Sequence, residues 1–295
     1  MGCLMSRDIL SIIQERMPTL SKGQRRVAQF ILDAYDKAAF MTASRLGETV
    51  QVSESTVVRF AAELGCGGYP NMQRALQEIV RSKLTSIQRI EVANDRLSGQ
   101  DVLSTVMQAD MELIRATLAE VDQERFSRAV DAILAARRIY ILGLRSSAAL
   151  ADFLGFYFQM IFDNVQVVHT SSSGEIFEQL LRVGPEDVVI GLSFPRYSSR
   201  TVQALRFARD RGAGVVALTD SETSPLAETA TELLLAQSDM ASFVDSLVAP
   251  LSLVNALIVA VGRRRNEDVE QTFAGLERIW SEYEVYEPAG GNETP

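Results

Sequence analysis

Cysteine, histidine and tryptophan are nearly missing from this chain, which holds two Cys, one His and one Trp in 295 residues. Cys3 and Cys66 supply neither a disulfide framework nor a metal-ligand spacing. The lone histidine, His169, closes the apolar run "VQVVHT" without a Cys or His neighbour. It is read as structural, because a catalytic base needs an orienting partner and the sequence shows none. Neither a metal nor a cofactor is expected. Long apolar runs are scarce too: the longest, "LVAPLSLVNALIVAVG" from Leu247 to Gly262, is interrupted by Pro250 and Asn255 and is too short to span a bilayer. It reads as a buried core or interface helix. Asp8, Glu15 and Arg16 interrupt the apolar positions of the N-terminus, which argues against a signal peptide or anchor there. A cytoplasmic location is the default expectation.

What the chain does have is enough apolar residues, 47% of the total, to bury a core, and enough length for two domains. Its net charge of -9 hides an asymmetry. Residues 1–90 carry 12 Lys/Arg against 8 Asp/Glu, whereas residues 91–295 carry 17 against 30. Only the N-terminal third is able to approach a polyanion without strong repulsion.

That third is helical by periodicity. Val27, Phe30, Ile31 and Ala34 recur at helical spacing behind Ser21, a cap. In "MTASRLGETVQVSESTVVRFAAELGCGGY", Thr42 starts a short helix, Gln51 and Val52 turn the chain, and Ser53 caps a second helix ending near Gly65. This is the helix, tight turn, helix pattern. Val57, Ala61 and Leu64 fall on one face of the second helix, and Ser55, Thr56, Arg59 and Glu63 on the other. Short hydroxyl side chains let a helix sit deep in the major groove, where an arginine meets a guanine or a phosphate. A solvated helix shows the same face, so pattern alone leaves both readings standing.

The stretches "RRVAQFIL", "AFMTASRLG" and "VSESTVVRFAAELGCGGYPNMQRAL" resemble the N-terminal helix-turn-helix domain of RpiR-family transcriptional regulators across residues 5–85. The resemblance implies an all-helical module that grips its operator as a dimer. It places Thr42, Ser53, Ser55, Thr56 and Arg59 at the DNA, with Tyr69 in the following turn read as a core residue.

Residues 86–105 read as a linker with room for a helix of its own, and a helical stretch resumes at Val106. Beyond Leu134 the period changes. Short apolar runs, "RIYILG" (138–143), "VQVVHT" (165–170), "VVIGLS" (188–193), "VVALTD" (215–220) and "ELLLAQ" (232–237), alternate with helical segments. Such alternation predicts a parallel sheet with helices on both faces, and ligands of such sheets bind beyond the carboxyl ends of the strands. The loops there, "GLRSSAALA", "TSSSGE", "SFPRYSSRT" and "TDSETSPLA", are rich in hydroxyls, and three run straight into helices whose free N–H groups favour an anion. Each serine is equally explicable as a helix cap. Four such loops on one sheet edge, two with arginine, favour an anion site.

"YILGLRSSAALADFLGFYF", the segment from Asp187 to Ala236 and "SFVDSLVAPLSLVNALIVAV" resemble the SIS domain, the sugar-isomerase fold that forms the effector-binding half of the same regulators. The expected architecture is therefore a helix-turn-helix domain over 1–85, a linker over 86–105 and an α/β SIS domain with a five-stranded parallel sheet over 106–285. A disordered tail is expected over 286–295. By position the resemblance gives Ser147, Ser193 and Ser198 to a ligand. Ser146, Ser172, Tyr197, Ser199 and Thr201 line the same loops. The chain departs from the phosphosugar pattern at Arg145, Pro195 and Arg196, where glycines and a serine are usual. Glycine lets backbone approach a phosphate, whereas arginine offers a planar fork to a carboxylate or phosphate. The expectation is a site retuned for a small anionic metabolite, phosphosugar or carboxylate, with Arg145 and Arg196 as a clamp.

Two functions then compete. A regulator would bind a double-stranded, palindromic operator as a homodimer or homotetramer and answer to the metabolite, with ligand-ordered loops altering the spacing of the paired DNA-binding modules. A sugar-phosphate isomerase would need a base among His169, Glu175 and Glu178. The fused helix-turn-helix favours the regulator. The helix ending at Gly262 either covers the sheet or serves self-association.

Overall fold

A computed structural model describes residues 9–286, apart from residues 84, 98, 100, 171 and 241–243. The expected tail from residue 287 onward, with Cys3, lies outside the described residues. The chain divides into two compact units.

The first unit comprises the chain as far as Arg115, together with Pro195–Tyr197 and Ser238–Leu247. Its helices are α1 (Ile9–Arg16), α2 (Lys22–Asp33), α3 (Tyr35–Ala38), α4 (Ala43–Thr49), α5 (Glu54–Glu63), α6 (Tyr69–Lys83), α7 (Ser86–Leu97) and the greater part of α8 (Val102–Glu120). Ser21 and Gln24 cap α2 reciprocally, Ser21 Oγ accepting from the Gln24 amide and Gln24 Oε1 from the Ser21 amide. Thr42 Oγ1 accepts from the Arg45 amide and starts α4. Between α4 and α5 the chain reverses at Gln51, which has φ 55°, while the Val52 amide reaches back to the Gly47 carbonyl at 2.8 Å. A Cβ on residue 47 would stand 2.8 Å from the Val52 carbonyl oxygen, so the closeness of this turn requires the glycine. Ile13, Val27, Ile31, Leu46, Val57 and Phe60 are fully buried in one core. Each such side chain contributes roughly 1.5–3 kcal/mol by leaving water.

Two parts of this unit come from far along the chain. Met240, 3% exposed, belongs to the helical core. Arg89 of α7, equally buried, donates from Nη2 to Asp245 Oδ1 at 2.5 Å. Nothing in the sequence pattern marks either residue. Residues 86–105, read above as a linker, hold α7 and the start of α8.

The second unit is a parallel sheet wrapped by helices. Its strands are β1 (Arg138–Gly143), β2 (Val165–Val167), β3 (Asp187–Leu192), β4 (Gly214–Thr219) and β5 (Glu232–Leu235), in the order β2-β1-β3-β4-β5. Register is set by pairs such as Ile139 with Val165, Tyr140 with Val189 and Val189 with Val215. Helices α9 (Gln123–Ala135), α10 (Ala148–Ile161), α11 (Ser173–Gln179), α12 (Ser199–Asp210), α13 (Val248–Arg264) and α14 (Asn266–Glu282) complete it. All six residues of β3 are buried, as a strand covered on both faces must be. Two expectations are corrected in detail. Strand β2 stops at Val167, so His169 and Thr170 lie in the loop after it, and the apolar helix runs from Val248 to Arg264, past Gly262, while Asp245 just before it forms a bridge with Met240. No helix among the described residues is long and apolar enough to cross a membrane.

Candidate functional site

Helix α5 presents the residues expected at DNA. Val57, Phe60 and Ala61 turn inward, which leaves Ser53, Ser55 and Arg59 exposed and Thr56 half-buried. Ser53 begins the helix, but its side chain does not cap it. Its Oγ instead lies 2.9 Å from both Ser55 Oγ and Thr56 Oγ1, so three hydroxyls form one polar cluster at the helix start. Arg59 folds back along the helix, its Nε donating to the Ser55 carbonyl at 3.1 Å. Helix α2 supports this face: a Cβ on Gly23 would stand 3.3 Å from Thr56 Cγ2, and Gln24 donates to Glu63 at the far end of α5. Thr42 is exposed and is used as the cap of α4. Tyr69 is the first residue of α6 and is 6% exposed; its hydroxyl donates to the Met41 carbonyl at 2.6 Å, and burial pushes its pKa up to about 12. It is a core residue with a satisfied polar tip.

In the second unit the strand order reverses between β1 and β3, since the chain goes from β1 to one neighbour and returns to the other. Crevices at such switch points, beyond the carboxyl ends of the strands, are where doubly wound sheets bind ligands. The loop after β1 makes a short 3-10 turn over Arg145–Ser147 and enters α10. Gly143 is needed there, because a Cβ would stand 2.4 Å from the Ser147 carbonyl oxygen. Ser147 is 3% exposed, while Ser146 is exposed. After β3, Ser193 is 3% exposed and its Oγ accepts from the Ser198 amide at 3.0 Å. Ser198 caps α12, its Oγ accepting from the Thr201 amide at 3.3 Å, and Ser199 is exposed. Thr201, in the first turn of α12, is fully buried, and its Oγ1 has no hydrogen-bond partner among the described residues. In the second loop Ser172 is exposed, its amide donating to Thr170 Oγ1 at 3.0 Å.

Of the ten residues expected at the ligand, Ser147, Ser193, Ser198 and Thr201 thus gather around the switch point with buried or half-buried side chains. The arginines do not form a closed clamp. Arg145, held at φ 58°, and Arg196 are both exposed, and Arg196 and Tyr197 group with the first unit. Sequence reasoning missed three further polar residues at this edge, Thr219, Asp220 and Ser224, which end β4 or follow it and are at most 8% exposed. Thr219 Oγ1 lies 3.4 Å from Asp220 Oδ1, and Ser224 Oγ has no hydrogen-bond partner among the described residues. Their loop was visible as hydroxyl-rich, but burial of a loop's polar groups has no signature in composition. Chemically the edge offers hydroxyl donors and acceptors beside two helix N-termini, an arrangement suited to an oxygen-rich anion.

The bases a sugar isomerase would need stand differently. His169 Nδ1 lies 3.4 Å from Asp152 Oδ1 with both side chains more than half exposed, and Glu175 accepts from Thr170 Oγ1. Glu178 is exposed on α11.

Comparison with known proteins covers both units. The helix-turn-helix domain model of the rpiR family matches residues 7–83, and the SIS domain model matches residues 132–260. The transcriptional regulator HexR of Escherichia coli is 27% identical over 263 residues, covering 88% of this chain and 89% of HexR. Among solved structures, the sugar isomerase domain of an RpiR transcription factor from Sphaerobacter thermophilus is 31% identical, with a TM-score of 0.58 over 61% of this chain and 99% of that one. NanR of Vibrio vulnificus, complexed with ManNAc-6P, shares the fold at 22% identity and a TM-score of 0.59, over 93% of this chain and 98% of its own.

Proposed function

Since this chain belongs to the RpiR family of transcriptional regulators, a DNA-binding domain joined to an effector-sensing SIS domain, we propose that α5 reads the operator and that the β1–β3 edge binds a small anionic metabolite. Ser55, Thr56 and Arg59 contact the DNA, with Ser53 ordering the hydroxyl cluster and Thr42 holding α4. The operator is palindromic and is read by a homo-oligomer in the cytoplasm. Supporting the ligand site is one observation above all: Thr201 is fully buried beside the capped start of α12, and its hydroxyl has no partner among the described residues. A buried hydroxyl left unpaired costs about 1–3 kcal/mol, which a ligand oxygen recovers.

The ligand class follows from the donors. Ser147, Ser193 and Ser198 with the N-terminus of α12 favour a phosphate or carboxylate, and hydroxyls at the edge suit a polyol beside it. NanR, a protein of the same fold, is seen with ManNAc-6P, which supports a phosphosugar over a plain carboxylate. Arg145 and Arg196 are exposed and act, if ligand draws them in, as forks added to the hydroxyl site; Ser146, Ser172, Tyr197 and Ser199 complete the loops. Isomerisation is the weaker reading, because His169 and Glu175 are engaged with Asp152 and Thr170. The chain is a sensor and not an enzyme. Thermal-shift screening against sugar phosphates, sugar acids and small carboxylates tests this. A stabilising compound is expected, with the shift abolished by Ser193→Ala and weakened by Arg196→Ala. Turnover of a sugar phosphate by the purified protein would overturn the sensor reading.

A further inference from the structure

Helix α2 begins with charge set against its own dipole. Lys22 and Arg25 stand in its first turn and Arg26 directly after them, and that turn holds no acidic residue. The start of a helix is its positive end, where carboxylates stabilise and cations do not. All three cations are exposed, and none has a carboxylate partner among the described residues. Arg25 Nη2 donates to the Pro18 carbonyl at 2.9 Å, a neutral acceptor that leaves its charge uncompensated. The end of the helix is closed by the reciprocal cap of Ser21 and Gln24, so the three charges, and not the helix terminus, are what asks for an explanation. Their arrangement disfavours the free chain and favours a bound polyanion.

Where the charges point identifies the anion. Gly23 faces the start of α5, since a Cβ there would stand 3.3 Å from Thr56 Cγ2 and 3.6 Å from Val52 Cγ1. A helix turns about 100° per residue, which sets Arg26 about 60° and Lys22 about 100° from Gly23 on one side, with the buried Gln24 and Val27 on the other. Arg26 and Lys22 therefore extend the exposed face on which Ser53, Ser55 and Arg59 lie. Arg25 and Gln29 follow further round, and all four share one open hollow with Met17 and Leu20. We propose that this strip grips the phosphodiester backbone beside the groove that α5 enters, with Lys22 and Arg26 each neutralising a phosphate. The strip is exposed, spaced along a helix and continuous with α5, which suits a row of phosphates better than a small anion needing enclosure. It lies outside the α4–α5 pair and reads no sequence; it fixes how the helix pair sits on the duplex. The inference rests on the reading of α5 as the helix that enters the groove.

The salt dependence of DNA binding by the full chain tests the grip. Two duplexes are titrated by anisotropy over a range of salt, one selected from a random pool by the natural chain and one of random sequence. Each phosphate contact steepens the fall of log affinity with log salt by about 0.9. Lys22→Gln with Arg26→Gln is therefore expected to make that slope shallower by about 2 and to weaken both duplexes alike, on the order of tenfold. Arg25 stays in place because it holds the Pro18 carbonyl. Arg263→Gln with Arg278→Gln, which removes the same charge from exposed positions of the second unit, is expected to leave the slope as it was. An unchanged slope in the α2 variant, or an equal change in that control, overturns the proposal. The α2 variant without DNA is expected to keep or raise its thermal midpoint, because two cations leave the positive end of a helix. A lowered midpoint would assign Lys22 and Arg26 to the scaffold instead. Arg59→Ala separates this inference from the reading it rests on: it is expected to narrow the preference for selected over random DNA, which the α2 variant leaves intact. An undiminished preference in Arg59→Ala, beside a shallower slope in the α2 variant, would count against α5 and keep α2 at the DNA.

Discussion

The two ends of strand β3 bury polar side chains in different ways. At its start Asp187 is 1% exposed and fully engaged: Oδ1 accepts from Arg137 Nε at 3.0 Å, and Oδ2 from Arg137 Nη2 at 2.8 Å and the Gly184 amide at 2.9 Å. At its finish the Ser193 hydroxyl accepts from the Ser198 amide, and the Thr201 hydroxyl on the following helix has no partner among the described residues. A buried carboxylate with both oxygens hydrogen-bonded locks a strand in place. Buried hydroxyls left short of partners hold free energy that a ligand recovers. On the proposed reading one end of the strand serves stability and the other binding, in line with the general placement of ligand sites at the carboxyl edge of parallel sheets.

The largest expected effect is at the stable end. Asp187→Ala removes three hydrogen bonds from the sheet and is expected to cost about 3 kcal/mol of stability in chemical denaturation, with the affinity of the folded protein for its ligand unchanged. A loss of affinity as large as the loss of stability would erase the distinction between the two ends.

Arg59→Ala carries the comparison into the first unit, where the exposed polar groups of α5 are proposed to serve binding. Fluorescence anisotropy is expected to show operator affinity weaker by about 1–3 kcal/mol, with an unaltered thermal midpoint. A shifted midpoint with intact DNA affinity would assign Arg59 to the scaffold.

At the binding end the sign reverses. Thr201→Val replaces an unpartnered buried hydroxyl with a methyl of similar shape, so the protein without ligand is expected to gain about 1 kcal/mol while its ligand-induced thermal shift shrinks. Destabilisation by Thr201→Val would mean that the hydroxyl is already satisfied.

The smallest effect concerns Tyr69, a buried hydroxyl that is paired. Burial raises its pKa to about 12, so the folded state holds the phenol proton after the unfolded state has lost it near pH 10. The contribution of Tyr69 is present in full below about pH 10 and declines as pH rises toward 12. Tyr69→Phe is expected to cost about 1 kcal/mol at neutral pH and to flatten that alkaline decline.

Much of this was legible in the sequence because periodicity reports burial of apolar faces. Val57, Ala61 and Leu64 mark the inner side of α5, and the five apolar runs mark the five strands. What periodicity misses is the pairing of residues far apart in the chain. Met240 lies in the helical core and Asp245 meets Arg89, more than 150 residues away, without any local pattern that announces either. Pro195, Arg196 and Tyr197 stood out as departures from a phosphate loop, yet their grouping with the first unit is a tertiary fact. Asp220 and Ser224 escaped notice for a similar reason, since a polar loop reads as solvated until neighbouring elements close over it.

The central claim is that one chain links a metabolite at the β1–β3 edge to DNA at α5, and the most direct test is a single thermodynamic one. DNA selected from a random pool by the purified protein is titrated by anisotropy with and without the compound that most raises the thermal midpoint, for the natural chain and for Ser193→Ala. The account predicts that the compound changes DNA affinity on the order of 5- to 150-fold in the natural chain and not in the variant. An affinity for DNA that is the same with and without a compound proven to bind would contradict it.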